Sequence, residues 1–97
     1  MSKVLVRFTT FKKVQSFENS LFKKQEVLAI SHETKTDYKL EFSGSSIDLL
    51  KGVNPNQDAI IDFNIRGNRF FKKDKQGNLT TEEDVINVIS VYKVTLL

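Results

Sequence analysis

The sequence has no cysteine, one histidine, one proline and four glycines among its 97 residues. Without cysteine there is no disulfide, no thiol nucleophile and no Cys-ligated metal. With His32 alone, no two-histidine metal motif forms within one chain. No apolar run approaches the roughly 18–20 residues that span a bilayer, and no charged-then-apolar leader opens the chain, so an intracellular protein away from membranes is expected. A Gly-rich phosphate loop, paired catalytic carboxylates, a Ser/His/Asp order and a Walker-type motif are all missing. The sequence therefore predicts no enzyme, no cofactor and no small-molecule substrate. What is present suits a folded domain: 39% hydrophobic and 28% charged residues, enough for one core without staples. No repeat, low-complexity tract or linker divides the chain, which reads as one domain over 1–97.

Charge is informative by position. Fifteen Lys and Arg against twelve Asp and Glu give a net charge of +3. Lys3, Arg7, Lys12 and Lys13 open the chain with no acid among them. Arg66, Arg69, Lys72, Lys73 and Lys75 follow one another against a single acid, Asp74. The acids gather elsewhere, at Asp58 and Asp62 and at Glu82, Glu83 and Asp84. Two separated basic segments form a basic face if the fold brings them together, the footprint of a nucleic-acid binder. Solvated lysines that keep a protein soluble are the commoner explanation of such clusters.

Strand signals dominate. Val4, Val6 and Phe8 alternate along a first strand over Lys3 to Phe8. Tyr38 to Ser43 alternates apolar and polar residues without a break, and Gly44 closes it. Ile61, Phe63 and Ile65 alternate with Asp62, Asn64 and Arg66. Val85, Ile86, Val88, Ile89, Val91 and Val94 make residues 85–94 a long last strand, expected to be buried on much of both faces. Residues 11–30 are ambiguous, because Phe11, Val14, Phe17, Leu21 and Leu28 approximate one helical face. The turn-like Asn19-Ser20 and the strand-like Val27 to Ile30 favour two strands joined near 17–21. One short helix is expected near 45–51, with Ser45 or Ser46 as its cap, Asp48 in its first turn and Gly52 ending it. Val53 to Asp58 reads as a loop around Pro55. Asp74 to Asn78 marks a hairpin tip, with Phe70 to Lys73 ascending and Leu79 to Thr81 descending.

The predicted fold is all-β with one short helix, arranged as a five-stranded antiparallel Greek-key barrel of the OB type with a long hairpin after strand four. That barrel binds ligands on strands two and three and on the loops after strands one and four. Those loops fall here near Phe17 to Phe22 and on the basic hairpin.

Five stretches carry a family resemblance over roughly residues 22–94. They are Phe22-Lys23-Lys24-Gln25-Glu26-Val27, Tyr38 to Gly44, Ile47 to Leu50, Phe63 to Phe70, and Ile89 to Val94. Together they resemble a family of short bacterial and phage OB-fold proteins of the single-stranded-DNA-binding type, classed as a domain of unknown function. The sequence departs from the family pattern at Asn68-Arg69, where the family has Arg-Glu. It departs again at Tyr92, where the family has Trp, and at Ser90, where it has Arg. The resemblance implies a cytoplasmic protein of a bacterial cell or infected host cell that binds single strands during replication or recombination.

Binding a single strand needs cations that track phosphates and aromatic faces on which bases stack. Phe22 beside Lys23 and Lys24 has that composition. Arg66, Arg69, Phe70, Phe71, Lys72, Lys73 and Lys75 have it, as do Tyr92 and Lys93, and Lys39 adds a cation to strand three. Phe8, Phe42 and Phe63 sit at inward-alternating positions and are expected in the core. Adjacent Phe70 and Phe71 face opposite ways in a strand, so at least one is expected outside it. His32 with Glu33 and Asp37 reads as a surface turn more readily than as a metal or acid–base site. Thr80, Thr81, Glu82 and Glu83 read as a solvated arm. The expected function is sequence-nonspecific binding of single-stranded DNA by a homodimer or larger oligomer, with Leu5 on the outward face of strand one available to a partner. The alternatives are an OB-fold protein-interaction module and a single-stranded RNA binder.

Overall fold

The computed structural model describes residues 2–17 and 21–97, so the expected turn at Asn19-Ser20 lies outside the described residues. The described chain is mostly strand with one short helix. Its strands are β1 (Ser2–Phe11), β2 (Gln15–Ser16), β3 (Lys23–Ser31), β4 (Asp37–Ser43), β5 (Asp58–Lys73) and β6 (Leu79–Leu96). Six strands replace the expected five because the first one is interrupted. β1 pairs with β3 as far as Phe11↔Val27, and β2 resumes on the same strand at Gln15↔Lys24. Residues 11–30 are therefore strands on both sides of the 17–22 segment.

The pairings close a ring: β1 with β5, β5 with β6, β6 with β4, β4 with β3, and β3 back to β1. The sheet is not wholly antiparallel as expected. β4 and β6 meet in parallel at Leu40↔Ile89 and Glu41↔Ser90. The chain reverses into β5 and reverses again into β6, which restores the direction of β4. Alternation then sends one residue in two to the interior. Val6 and Phe8, Val27 and Ala29, Leu40 and Phe42, Ala59 and Ile61, and Val91 form the core. Phe63 packs against it, as the alternation predicts. Each large side chain buried there contributes about 1.5–3 kcal/mol.

The helix spans Gly44–Leu50 and is of the tighter 3-10 type, one residue earlier than expected. Its N-cap is Ser43, with no side-chain cap bond, so Ser45 and Ser46 lie inside it and do not cap it. A segment of about two turns has few internal bonds to gain, and packing holds it instead. Leu50 and the following Val53 join the core.

The last strand departs furthest from expectation. Of β6 only Val91 is fully buried, and residues 81–87 are exposed. Beyond Ile65 and Ile89, β5 and β6 pair only with each other and leave the body as a two-stranded ribbon. The ribbon gives the molecule extents of 47 × 35 × 24 Å and a radius of gyration of 15.6 Å. A compact chain of this length has about 12–13 Å. The ribbon tip is the expected turn. Asp74 Oδ1 accepts from the N–H groups of Gln76 and Asn78, and Gly77 takes the positive φ of 85° that the turn requires.

Candidate nucleic-acid interface

Because Val27, Ala29 and Ser31 point inward, Lys24, Glu26 and Leu28 point outward from β3. On β4 the same alternation turns Lys39 and Glu41 outward beside them, with Glu26↔Glu41 and Leu28↔Lys39 directly opposite. Two like charges facing each other across strands destabilise the pair. Here three cations offset them. Lys24 Nζ lies 3.6 Å from Glu41, Lys39 Nζ lies 3.6 Å from Glu26, and Arg66 on the ribbon hydrogen-bonds Glu41. Glu41 is only 9% exposed, so this lattice ties the ribbon base to the face of β3 and β4. A cleft of about 180 Å³ lies between that face and ribbon residues Ile86 and Val88.

At one end of the face stand two aromatic rings. Phe17 and Phe22 are exposed, their centroids are 5.6 Å apart, and Lys24 Nζ lies 5.9 Å from the Phe17 ring centroid. Such pair and cation–π spacings are favourable. At the other end stands the ribbon. Register puts Arg66, Asn68 and Phe70, with Val88, Ile86 and Asp84, on the face continuous with Glu41. Ile65, Gly67, Arg69 and Phe71, with Ile89, Asn87, Val85 and Glu83, occupy the far face. Both rings of the Phe70-Phe71 pair are outside the core, at 38% and 48% exposure.

The acids read as gathering elsewhere lie across the ribbon from the bases. Arg69 pairs with Glu83 at 3.1 Å, and Lys72 with Glu82 at 3.6 Å and Asp84 at 3.5 Å. Glu82 and Asp84 hold the Lys72 ammonium above its ordinary pKa. Asp84 is held below the usual carboxylate range, first by the Val85 N–H and then by Lys72. Among the described residues, Lys73 and Lys75 near the tip have no ion pair, nor do Lys12 and Lys13 between β1 and β2. Lys23, Lys35 and Lys93 likewise have no ion pair among the described residues, but they stand elsewhere on the molecule.

Five expected residues lie off the face that carries Lys24, Lys39 and Arg66: Arg69 and Phe71 on the far face of the ribbon, and Lys23, Tyr92 and Lys93. Lys23 faces the opposite way, toward a cleft it shares with Ser16, Ile47 and Asp48. Tyr92 is the extra residue of a bulge, and Lys93 stands opposite Asp62 on the β5–β6 side. Asp62 is itself buried, balanced by Lys3 at 3.8 Å. Thr80 is structural: its hydroxyl donates to the Lys72 carbonyl and accepts from the Glu82 N–H where the ribbon register shifts.

His32 sits in the expected turn, but it has a partner the sequence did not disclose. Its Nε2 lies 2.8 Å from Asp58 Oδ1, which also accepts from Arg7 Nε at 2.9 Å. Arg7 and then His32 hold the Asp58 pKa down at about 2. Among the described residues no cluster of His, Asp and Glu is placed to hold a metal, and no helix is long and apolar enough to cross a membrane.

Sequence reading missed Phe17 as a site residue and missed the acids of the strip. Period two carried the signal for the acids, since Lys24 with Glu26 and Lys39 with Glu41 share faces once the strands are known. No protein-family model and no curated protein matches the chain.

Proposed function

We propose that the chain is an OB-fold protein that binds single-stranded DNA without sequence preference, in the setting of replication or recombination. The observation that carries this reading is one continuous strip. It runs from the Phe17–Phe22 pair, over Lys24, Lys39 and Arg66, to Phe70 and Ile86 on the ribbon. Aromatic faces at both ends suit a strand whose bases stack, and Lys73 and Lys75, without ion pairs at the ribbon tip, suit its phosphates. The ring of pairings, with a short helix between β4 and β5, supports the OB assignment, as does the resemblance of residues 22–94.

A second reading, docking to another protein, draws on the ribbon's charge. Arg66, Arg69, Lys72, Lys73 and Lys75 stand against Asp74, Glu82, Glu83 and Asp84, five against four. Such a ribbon is almost neutral, and it carries exposed Val85 and Ile86. Variants separate the two readings. Phe17→Ala and Phe70→Ala should each weaken oligo-dT binding by about 1–3 kcal/mol while the fold stays intact. Unchanged binding by both variants favours protein docking.

A further inference from the structure

We infer that Glu26 and Glu41 are resident competitors of phosphate, holding Lys24, Lys39 and Arg66 until a single strand displaces them. The inference rests on the single-strand reading above and adds the device that regulates affinity at that same site. Glu26 and Glu41 stand directly opposite each other on β3 and β4, on the outward face. Like charges so placed oppose strand pairing, and the core lies on the other side of both strands. Three cations converge on the two acids. Lys39 Nζ lies 3.6 Å from Glu26, Lys24 Nζ lies 3.6 Å from Glu41, and Arg66 reaches Glu41 from the ribbon. These are the cations of the strip between its two aromatic ends.

Burial adds a second observation. The acids lie deeper than the cations that cover them. The side chains of Glu41 and Glu26 are 12% and 20% exposed, whereas those of Arg66 and Lys39 are 57% and 64% exposed. A phosphate arriving from solvent therefore meets the cations first, and their long stems can carry the charge outward to it. Each such contact breaks a pair and leaves a largely buried carboxylate with less compensation, which is costly. Phosphate and carboxylate thus compete for the same three cations. Glu41 is the stronger holder, because two cations attend it and one of them couples it to the ribbon. A cation already held by a carboxylate adds less to the release of counterions, so the salt slope falls short of the number of basic residues on the strip.

The test converts each acid to its amide and reads the salt dependence of the full chain. Glu41→Gln frees Lys24 and Arg66, and Glu26→Gln frees Lys39, with side-chain shape kept. Oligo-dT is titrated between about 50 and 200 mM salt. The slope of log K against log salt should steepen by about 0.7 in Glu26→Gln and by about 1.4 in Glu41→Gln. Over that range the affinity of Glu26→Gln should change about 2.6-fold more than the parent's, and that of Glu41→Gln about 7-fold more. Both variants should bind more tightly than the parent at the lower salt. Glu33→Gln removes the same charge from the exposed turn between β3 and β4 and should behave as the parent. That control separates the release of local cations from a change in net charge. The acids are tested singly, so loss of fold in one variant leaves the other to decide. Folded variants that keep the parent slope, or a Glu33→Gln that steepens it equally, overturn the inference while the parent's binding of oligo-dT stands. Parent and variants that all fail to bind overturn the single-strand reading and the inference together.

Discussion

Asp58 shows how one side chain acquires a pH signature from its neighbours. Its carboxylate accepts from Arg7 and lies against His32, and its pKa falls from 3.8 to about 2. A lowered folded-state pKa means that the unfolded chain takes up the proton first. The contribution to stability is therefore full above pH 3.8 and is lost as pH falls through about 2. Asp58→Asn should melt below the parent at neutral pH, and the difference should close as both are titrated toward pH 2. A gap that persists in acid contradicts this. The phenylalanines divide in the same physical terms. Phe42 is fully buried, so Phe42→Ala should cost about 3–5 kcal/mol of stability. Phe70 is partly exposed on a ribbon, and Phe70→Ala should melt close to the parent. Thermal or urea melts of the two variants measure the contrast.

At the scale of elements, the ribbon changes which lysines matter. Lys72 is held between Glu82 and Asp84, whereas Lys73 and Lys75 have no ion pair among the described residues. Lys73→Ala with Lys75→Ala should flatten the dependence of log K on log salt by about 1.4, about 0.7 for each phosphate no longer neutralised. Lys72→Ala should change that slope less and should weaken the ribbon, because it leaves Glu82 and Asp84 side by side on β6 without their shared cation. Oligo-dT titrations at several salt concentrations check both. Much of this element is legible in the sequence. The tip at Asp74 to Asn78, the opposite facing of Phe70 and Phe71, and the alternation of Tyr38 to Ser43 all follow from local chemistry. The pairing of Arg69 with Glu83 and of Lys72 with Glu82 and Asp84 does not. It depends on register, and the register shifts between Phe71 and Lys73. The exposure of Val85 and Ile86 escapes sequence reading for a related reason. A β-branched run specifies a strand, but only its neighbours decide whether that strand is covered. Phe17 is readable as strand or helix, and its role depends on where β2 resumes along β3.

For the whole molecule, the net charge of +3 understates how unevenly charge is available. Lys24, Lys39 and Arg66 are spent on Glu26 and Glu41, whereas Lys73 and Lys75 at the ribbon tip have no ion pair among the described residues. A single strand lying across the strip would meet aromatic faces at each end, free lysines at the ribbon tip and a nearly neutral middle. Such a surface should bind with a moderate salt slope and a large stacking share. It should also favour flexible single strands over duplex, whose bases are already stacked. The most direct measurement is a fluorescence titration of the full chain with oligo-dT, oligo-rU and duplex DNA at two salt concentrations. The expected result is tight binding of oligo-dT that weakens with salt, with duplex far weaker at both concentrations and oligo-rU deciding between DNA and RNA. Duplex binding equal to oligo-dT, or no binding of any of the three at low salt, contradicts the account.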